Sequence, residues 1–322
     1  MMAGRAHWVT AAWIGASLIL SGCADMRPAP QVTPAQNGAA RPAARVAPAP
    51  IAPISPQSEA LRVFYRQMQN DQLVRGLLRT DGGGPDTPFT SSMLTQNFMA
   101  IAFFDEYSTT ANGLRADRTA TPLRRWEKPI RMSVVTTPGP DSAEAARNRA
   151  EVSDFAARLS RLTDVPIAQT TIAPNFTVLF LDEDSRLGFA DQLRSLLPSI
   201  DEASLRYAIN LPRDELCLVI ASFDASGTRY DRAVAIIRAE HPDLMRQSCI
   251  HEELAQGMGL ANDSPRARPS IFNDDEEFGY LTSQDELMLK MLYDPRLRPG
   301  MTATEAEPIV RQIAADLLDA NS

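Results

Sequence analysis

The sequence predicts an α+β fold: a mixed, twisted sheet packed on two long helices, with extra helices before it and one helix after it. Three observations carry this expectation. Short runs rich in β-branched residues, near 130–135, 177–181, 216–223 and 233–237, read as strands. Residues 142–162, rich in Ala, Arg and Glu, read as a helix lying between strands. A second helical stretch, carrying His251, follows the last strand, and two more at 283–292 and 304–318 close the chain.

Taken in order, the chain opens on Arg5 and an apolar run over residues 8–20, too short to span a bilayer as a mature helix. Leu20-Ser21-Gly22-Cys23 follows directly and resembles the bacterial lipobox, in which cleavage precedes a cysteine that then receives a diacylglycerol. That resemblance implies a signal peptide over 1–22, lipidation at Cys23 and anchoring at a membrane facing the periplasm. Ala24, rather than Asp, follows the cysteine and points to the outer rather than the inner membrane. The alternative is a plain secretory leader with an incidental cysteine. Residues 23–57 are Pro, Ala and polar residues without apolar periodicity, a composition that cannot bury a core. As a semi-rigid tether this stretch would reach roughly 100 Å.

Residues 58–79 carry Leu61, Phe64, Met68, Leu73 and Leu77 near helical spacing, and Gly82-Gly83-Gly84-Pro85 breaks the pattern. A second helix is expected over 98–107. Residues 58–115 thus form an N-terminal helical segment and 116–322 the α+β domain. Within the latter, strands are expected at 130–135, 170–172 and 177–181, a helix at 187–197, and a hairpin of 216–223 with 233–237 turning near Ser226-Gly227.

Lys and Arg number 32 against 40 Asp and Glu, a net charge of −8, which leaves no electrostatic footprint for nucleic acid. It also repels anionic lipid, so membrane attachment rests on the lipid. With Cys23 assigned, Cys217 and Cys249 remain, and in an oxidising compartment an even remainder suggests a disulfide. Two buried thiols are the alternative.

The stretch CIHEELAQGMGLANDS, residues 249–264, carries the chemistry. Read from His251, a zinc-binding H-E-x-x-H fails, because Ala255 stands four residues on. Read one residue later, Glu252-Glu253-x-x-Gln256-x-x-Gly259-Leu260-x-Asn262-Asp263 follows the frame H-E-x-x-H-x-x-G-L-x-H-D and resembles the metzincin zinc peptidases, the matrixin branch in particular. Residues 270–295 resemble the turn, loop and last helix of that branch, with Ile271 and Phe272 where its methionine turn would stand. The resemblance implies a metzincin-like domain in which Glu252, Gln256 and Asn262 occupy the metal-ligand positions and Glu253 that of the general base. Gly259 and Asp263 then support the motif.

Residues 120–300, roughly, also resemble a family of bacterial lipoproteins known as domain of unknown function 2927. The resemblance rests on the segment near Trp126, on the Cys249 to Asp263 stretch and on Tyr293-Asp294-Pro295 with Gly300-Met301. No activity comes with it.

One carboxylate and two neutral amides are poor zinc donors, and the chain's histidines are His7, His241 and His251, none within the frame. A bound zinc is not expected. Glu252, Gln256, Asn262 and Asp263 are the donor types that Ca²⁺ or Mg²⁺ accepts, though only as a weak cage. Without metal, the same side chains would hydrogen-bond one another. His251 is either a ligand or only a neighbour of the motif. Asp274-Asp275-Glu276-Glu277 lacks EF-hand spacing, Gly82-Gly83-Gly84 lacks the Lys-Ser/Thr of a phosphate loop, and Ser222, Ser226 and Ser264 sit in no nucleophile elbow. The functional expectation is a lipid-anchored envelope protein that binds a peptide or another envelope protein in the old active-site cleft. A hydrolase using Glu253 as general base, with an atypical or weak metal, is the alternative, so whether catalysis survives stays open.

Overall fold

The computed structural model describes residues 54–110, 113–137, 142–273 and 275–320; the leader, Cys23 and nearly all of the Pro/Ala stretch lie outside them. Five strands form the main sheet: β3 (Ile130–Thr136), β4 (Ile167–Gln169), β5 (Phe176–Leu181), β6 (Cys217–Phe223) and β7 (Tyr230–Arg238), in the order β4-β3-β5-β7-β6. β3 pairs in parallel with β4 and β5, and β5 in parallel with β7. β6 turns back antiparallel on β7 and ends the sheet, as expected of the hairpin at Ser226-Gly227. β5 is buried along its whole length, because both faces of the sheet are covered.

Side-chain alternation decides which core each strand residue joins. Phe176, Val178 and Phe180 of β5 and Ala233, Ala235 and Ile237 of β7 join the larger core. That core also holds Val152, Phe155 and Leu159 of the helix α3 (Ala143–Thr163) and Ile250 and Leu254 of the helix α7 (Asp243–Gln256). These are the two long helices the sequence predicts. Leu179, Leu181, Val234 and Ile236 face the other way and pack on Leu193 and Leu205. Those residues belong to two short helices, α5 (Ala190–Leu196) and α6 (Glu202–Ile209), preceded by α4 (Glu183–Leu187). The single helix expected over 187–197 is therefore broken at Gly188, and α6 is an element the periodicity did not announce.

At the N-terminal side, α1 (Pro56–Val74) starts at Ser55, whose side chain accepts a hydrogen bond from the Ser58 backbone. α2 (Ser91–Ala102) starts at Thr90, earlier than expected. The chain then leaves the helix: β1 (Phe104–Thr110) and β2 (Gly113–Ala120) form an antiparallel pair. This corrects the expected helical segment 58–115, whose boundary falls inside β2. Tyr107-Ser108-Thr109-Thr110 favours extended chain. Similarly, the strand expected at 170–172 lies at 167–169, and Ile172 is 78% exposed.

The chain closes with α8 (Ser283–Leu292) and α9 (Ala303–Asp319), both near their expected bounds. A reciprocal Thr282–Asp285 capping box fixes the start of α8. Among the described residues no helix is long and apolar enough to cross a membrane.

Candidate functional site

Helix α7 carries the motif, and its end is clamped from several directions. Trp126 donates its Nε1–H to the Gly257 carbonyl at 2.8 Å, and the Tyr293 hydroxyl donates to the Met258 carbonyl at 2.8 Å. The Tyr293 oxygen in turn accepts from the Trp126 backbone at 3.3 Å. Gly259 adopts φ +122°, and a Cβ there would stand 2.5 Å from the Arg124 carbonyl oxygen. Only glycine fits, because both the dihedral and the approach exclude a side chain. The chain can therefore turn sharply after Met258 and bring Asp263 back beside α7.

The disulfide expected between Cys217 and Cys249 is present and ties β6 to α7. It closes a loop spanning 32 residues, worth on the order of 3–4 kcal/mol by chain entropy. One turn further along α7, Glu252, Glu253 and Gln256 border a cleft of about 720 Å³. The whole of β6 lines it, with Asp105, Glu106 and Tyr107 of β1 and Ser199, Asp201 and Ser204 around the start of α6. β6 is the end strand of the sheet, so its outer edge carries backbone groups that β7 does not use.

The cleft is acidic. Its described lining includes nine Asp or Glu residues and one cation, Arg124. Arg124 is itself engaged: it forks onto Asp105 at 3.0 and 2.9 Å and lies over the Phe223 ring. Glu253 is 3% exposed, and its Oε2 has no hydrogen-bond partner. Burial, followed by the charges of Glu106, Asp263 and Glu215, pushes the Glu253 carboxyl well above the usual carboxylate range. Glu252 is raised too, by burial first and then by Asp263 and Glu253. Both environments favour the protonated acid, the form that cannot act as a base.

Oxygens of Glu252 and Glu253 and the Cys217 sulfur lie within 4.8 Å of one another. That sulfur is bonded to Cys249 and is no thiolate ligand. Gln256 turns its Nε2–H towards Asp263 Oδ1 at 3.2 Å. Asn262 does not join the others: it is 2% exposed, lies outside the cleft lining and donates from Nδ2 to the Ala100 carbonyl of α2 at 2.9 Å and to the Asp263 carbonyl at 2.6 Å. The three ligand positions of the motif frame are thus split, with Glu252 and Gln256 in the cleft and Asn262 holding α2. These residues do not fit a zinc ion, which needs imidazole, thiolate or carboxylate donors converging on one point.

His251 faces away from this group. Its ring stacks on Phe155 at 4.1 Å, and its Nδ1 accepts from the Leu281 backbone at 3.1 Å. Burial, aided by Arg158, lowers it to about 3, so it packs as a neutral ring joining α7 to α3 rather than as a ligand or a surface neighbour. Of the acidic run after Asn273, Glu277 pairs with Arg79 and Arg268, while Glu276 reaches the cleft. Sequence reasoning missed Glu106, Glu215 and Glu276 as cleft residues. Three acidic dipeptides, Asp105-Glu106, Asp214-Glu215 and Glu252-Glu253, were the available signal, each at or near the end of a strand or helix.

The family described as "Protein of unknown function (DUF2927)" matches residues 91–312, from the start of α2 into α9. No curated protein matches the chain.

Proposed function

The chain belongs to the DUF2927 family, and since no activity comes with that membership, we propose from its own residues that it is a lipid-anchored envelope protein that binds an extended polypeptide segment in the cleft beside β6. The observation that carries this reading is the free outer edge of β6 lining an open cleft next to the motif helix. An extended segment can add to such an edge through backbone hydrogen bonds, with side chains alternating into the cleft and out to solvent. A mixed sheet with an antiparallel end strand, backed by α3 and α7, supports the metzincin-like reading of the domain. The absence of imidazoles from the motif frame, and Asn262's engagement with α2, support a domain that works without resident zinc.

Leu20-Ser21-Gly22-Cys23 after the apolar run supports lipidation, and Ala24 supports the outer membrane. The Cys217–Cys249 bridge supports an oxidising compartment such as the periplasm. The hydrolase alternative asks Glu253 to be an ionised base, whereas its burial and acidic neighbours oppose ionisation; binding is therefore the preferred reading.

Hydrogen exchange tests it. A pool of extended octapeptides should slow exchange of those amides in 217–223 that do not bond β7, and leave β4 at the opposite sheet edge unchanged. Equal exchange at β6 with and without peptide, at saturating concentrations, would remove the reading.

A further inference from the structure

The occupant's charge can be read from the same cleft. Resting on the peptide-binding reading above, we propose that the bound segment is basic, and that an ammonium or guanidinium group on one of its side chains seats against the Glu252–Glu253 pair.

Two independent observations converge on this. The first is the imbalance of the lining: nine carboxyl-bearing residues surround a single described cation, and that cation is already forked onto Asp105. Nothing positive in the described lining therefore answers Glu252 and Glu253. The second is Glu253 Oε2, a buried acceptor without a partner in a residue that lines the cleft. Buried polar atoms of this kind are rare in native proteins, and leaving one unsatisfied costs about 1–3 kcal/mol. A ligand that brings N–H donors and a positive charge supplies the missing bond, and its charge offsets the burial and acidic neighbours that hold the pair protonated.

The donor geometry favours an organic cation over a metal ion. Among the described residues, the cluster here holds two carboxylates and an oxidised sulfur within 4.8 Å of one another, and Gln256 already donates to Asp263. Ca²⁺ takes six to eight oxygen ligands and Mg²⁺ an octahedron, which this pair supplies only in small part. A lysine or arginine, in contrast, needs just the two acids for its head. Its aliphatic stem would lie along apolar residues of the lining, among which are Ala261, Ile271 and Phe278. An acidic segment would meet like charges on every side of the cleft, so the same residues also exclude wrong partners.

The test uses the purified full-length protein in detergent at physiological salt, where surface attraction is screened. Three labelled octapeptides of one β-favouring sequence carry lysine, norleucine or glutamate at one central position. Fluorescence anisotropy should show the lysine peptide binding at least about tenfold tighter than the norleucine peptide, with the glutamate peptide weakest. Glu253→Gln, nearly isosteric and checked for folding by circular dichroism, should bring lysine and norleucine to within about threefold of each other. Equal binding of lysine and norleucine peptides to the unmodified protein would overturn the charge assignment and leave the peptide-binding reading standing. Binding of none of the three would overturn both. Displacement of the lysine peptide by stoichiometric Ca²⁺ or Mg²⁺ would overturn the organic cation in favour of a metal site, and displacement by butylamine as effective as by the lysine peptide itself would overturn the requirement for a peptide.

Discussion

At the scale of single residues, Glu253 is the side chain whose chemistry and position disagree most. Its folded-state carboxyl is raised, so the folded chain holds the proton more tightly than the unfolded chain does. Stability from this group is present at low pH and is lost as pH rises above the unfolded carboxyl value towards the raised folded one. Asp285 adds the same sign in a defined window: burial lifts it from 3.8 to about 6, so its contribution falls between those values. Glu253→Gln removes the ionisation at one of these sites. Thermal melts of the variant should match the parent near pH 4, and the variant should be more stable by about 1 kcal/mol near pH 8. A stability difference independent of pH would contradict the burial argument. Gly259 is the opposite kind of residue, required for its backbone. Gly259→Ala should cost about 3 kcal/mol or more in chemical denaturation, since a Cβ there has nowhere to go.

At the scale of elements, β6 and α7 act as one unit because Cys217 and Cys249 join them. Replacing both cysteines by serine should lower stability on the order of 3–4 kcal/mol, and exchange should rise first in β6, the edge strand that the bridge ties to α7. Uniform exchange across the sheet would contradict that. Elements whose signals are local were legible in the sequence: α8 is announced by Thr282 and Asp285, and the β6–β7 hairpin by Ser226-Gly227 between two apolar runs. Elements fixed by tertiary contact were not. α6 is only eight residues and gains its place from Leu205 packing under the sheet, and β4 is three residues long and exists because β3 offers an edge. Asn262 shows the same limit at the site. An amide suits a ligand frame or a carbonyl partner equally well, and only the fold reveals that Ala100 takes it.

Across the whole molecule, the acidic cleft emerges from residues that lie far apart along the chain. Glu106, Glu215, Glu252 and Glu276 come together only when the β1–β2 pair, the end strand and the motif helix are assembled. The net charge of −8 hinted at an acidic surface without saying where it gathers. The need for Gly259, by contrast, is local: its φ of +122° and its approach to the Arg124 carbonyl admit no side chain. If Cys23 bears the lipid, Cys23→Ser should move the protein from the membrane fraction to the soluble periplasmic fraction; unchanged membrane retention would contradict the anchor. The central claim, that the cleft along β6 holds a polypeptide, is tested most directly by a photoactivatable residue at Ser222, which lies on β6 and lines the cleft, compared with one at the exposed Ile172 beyond β4. Irradiation of intact cells should yield a discrete polypeptide adduct at Ser222 that an excess of lysine octapeptide suppresses, and none at Ile172. Equal labelling at the two positions, or none at Ser222, would contradict it.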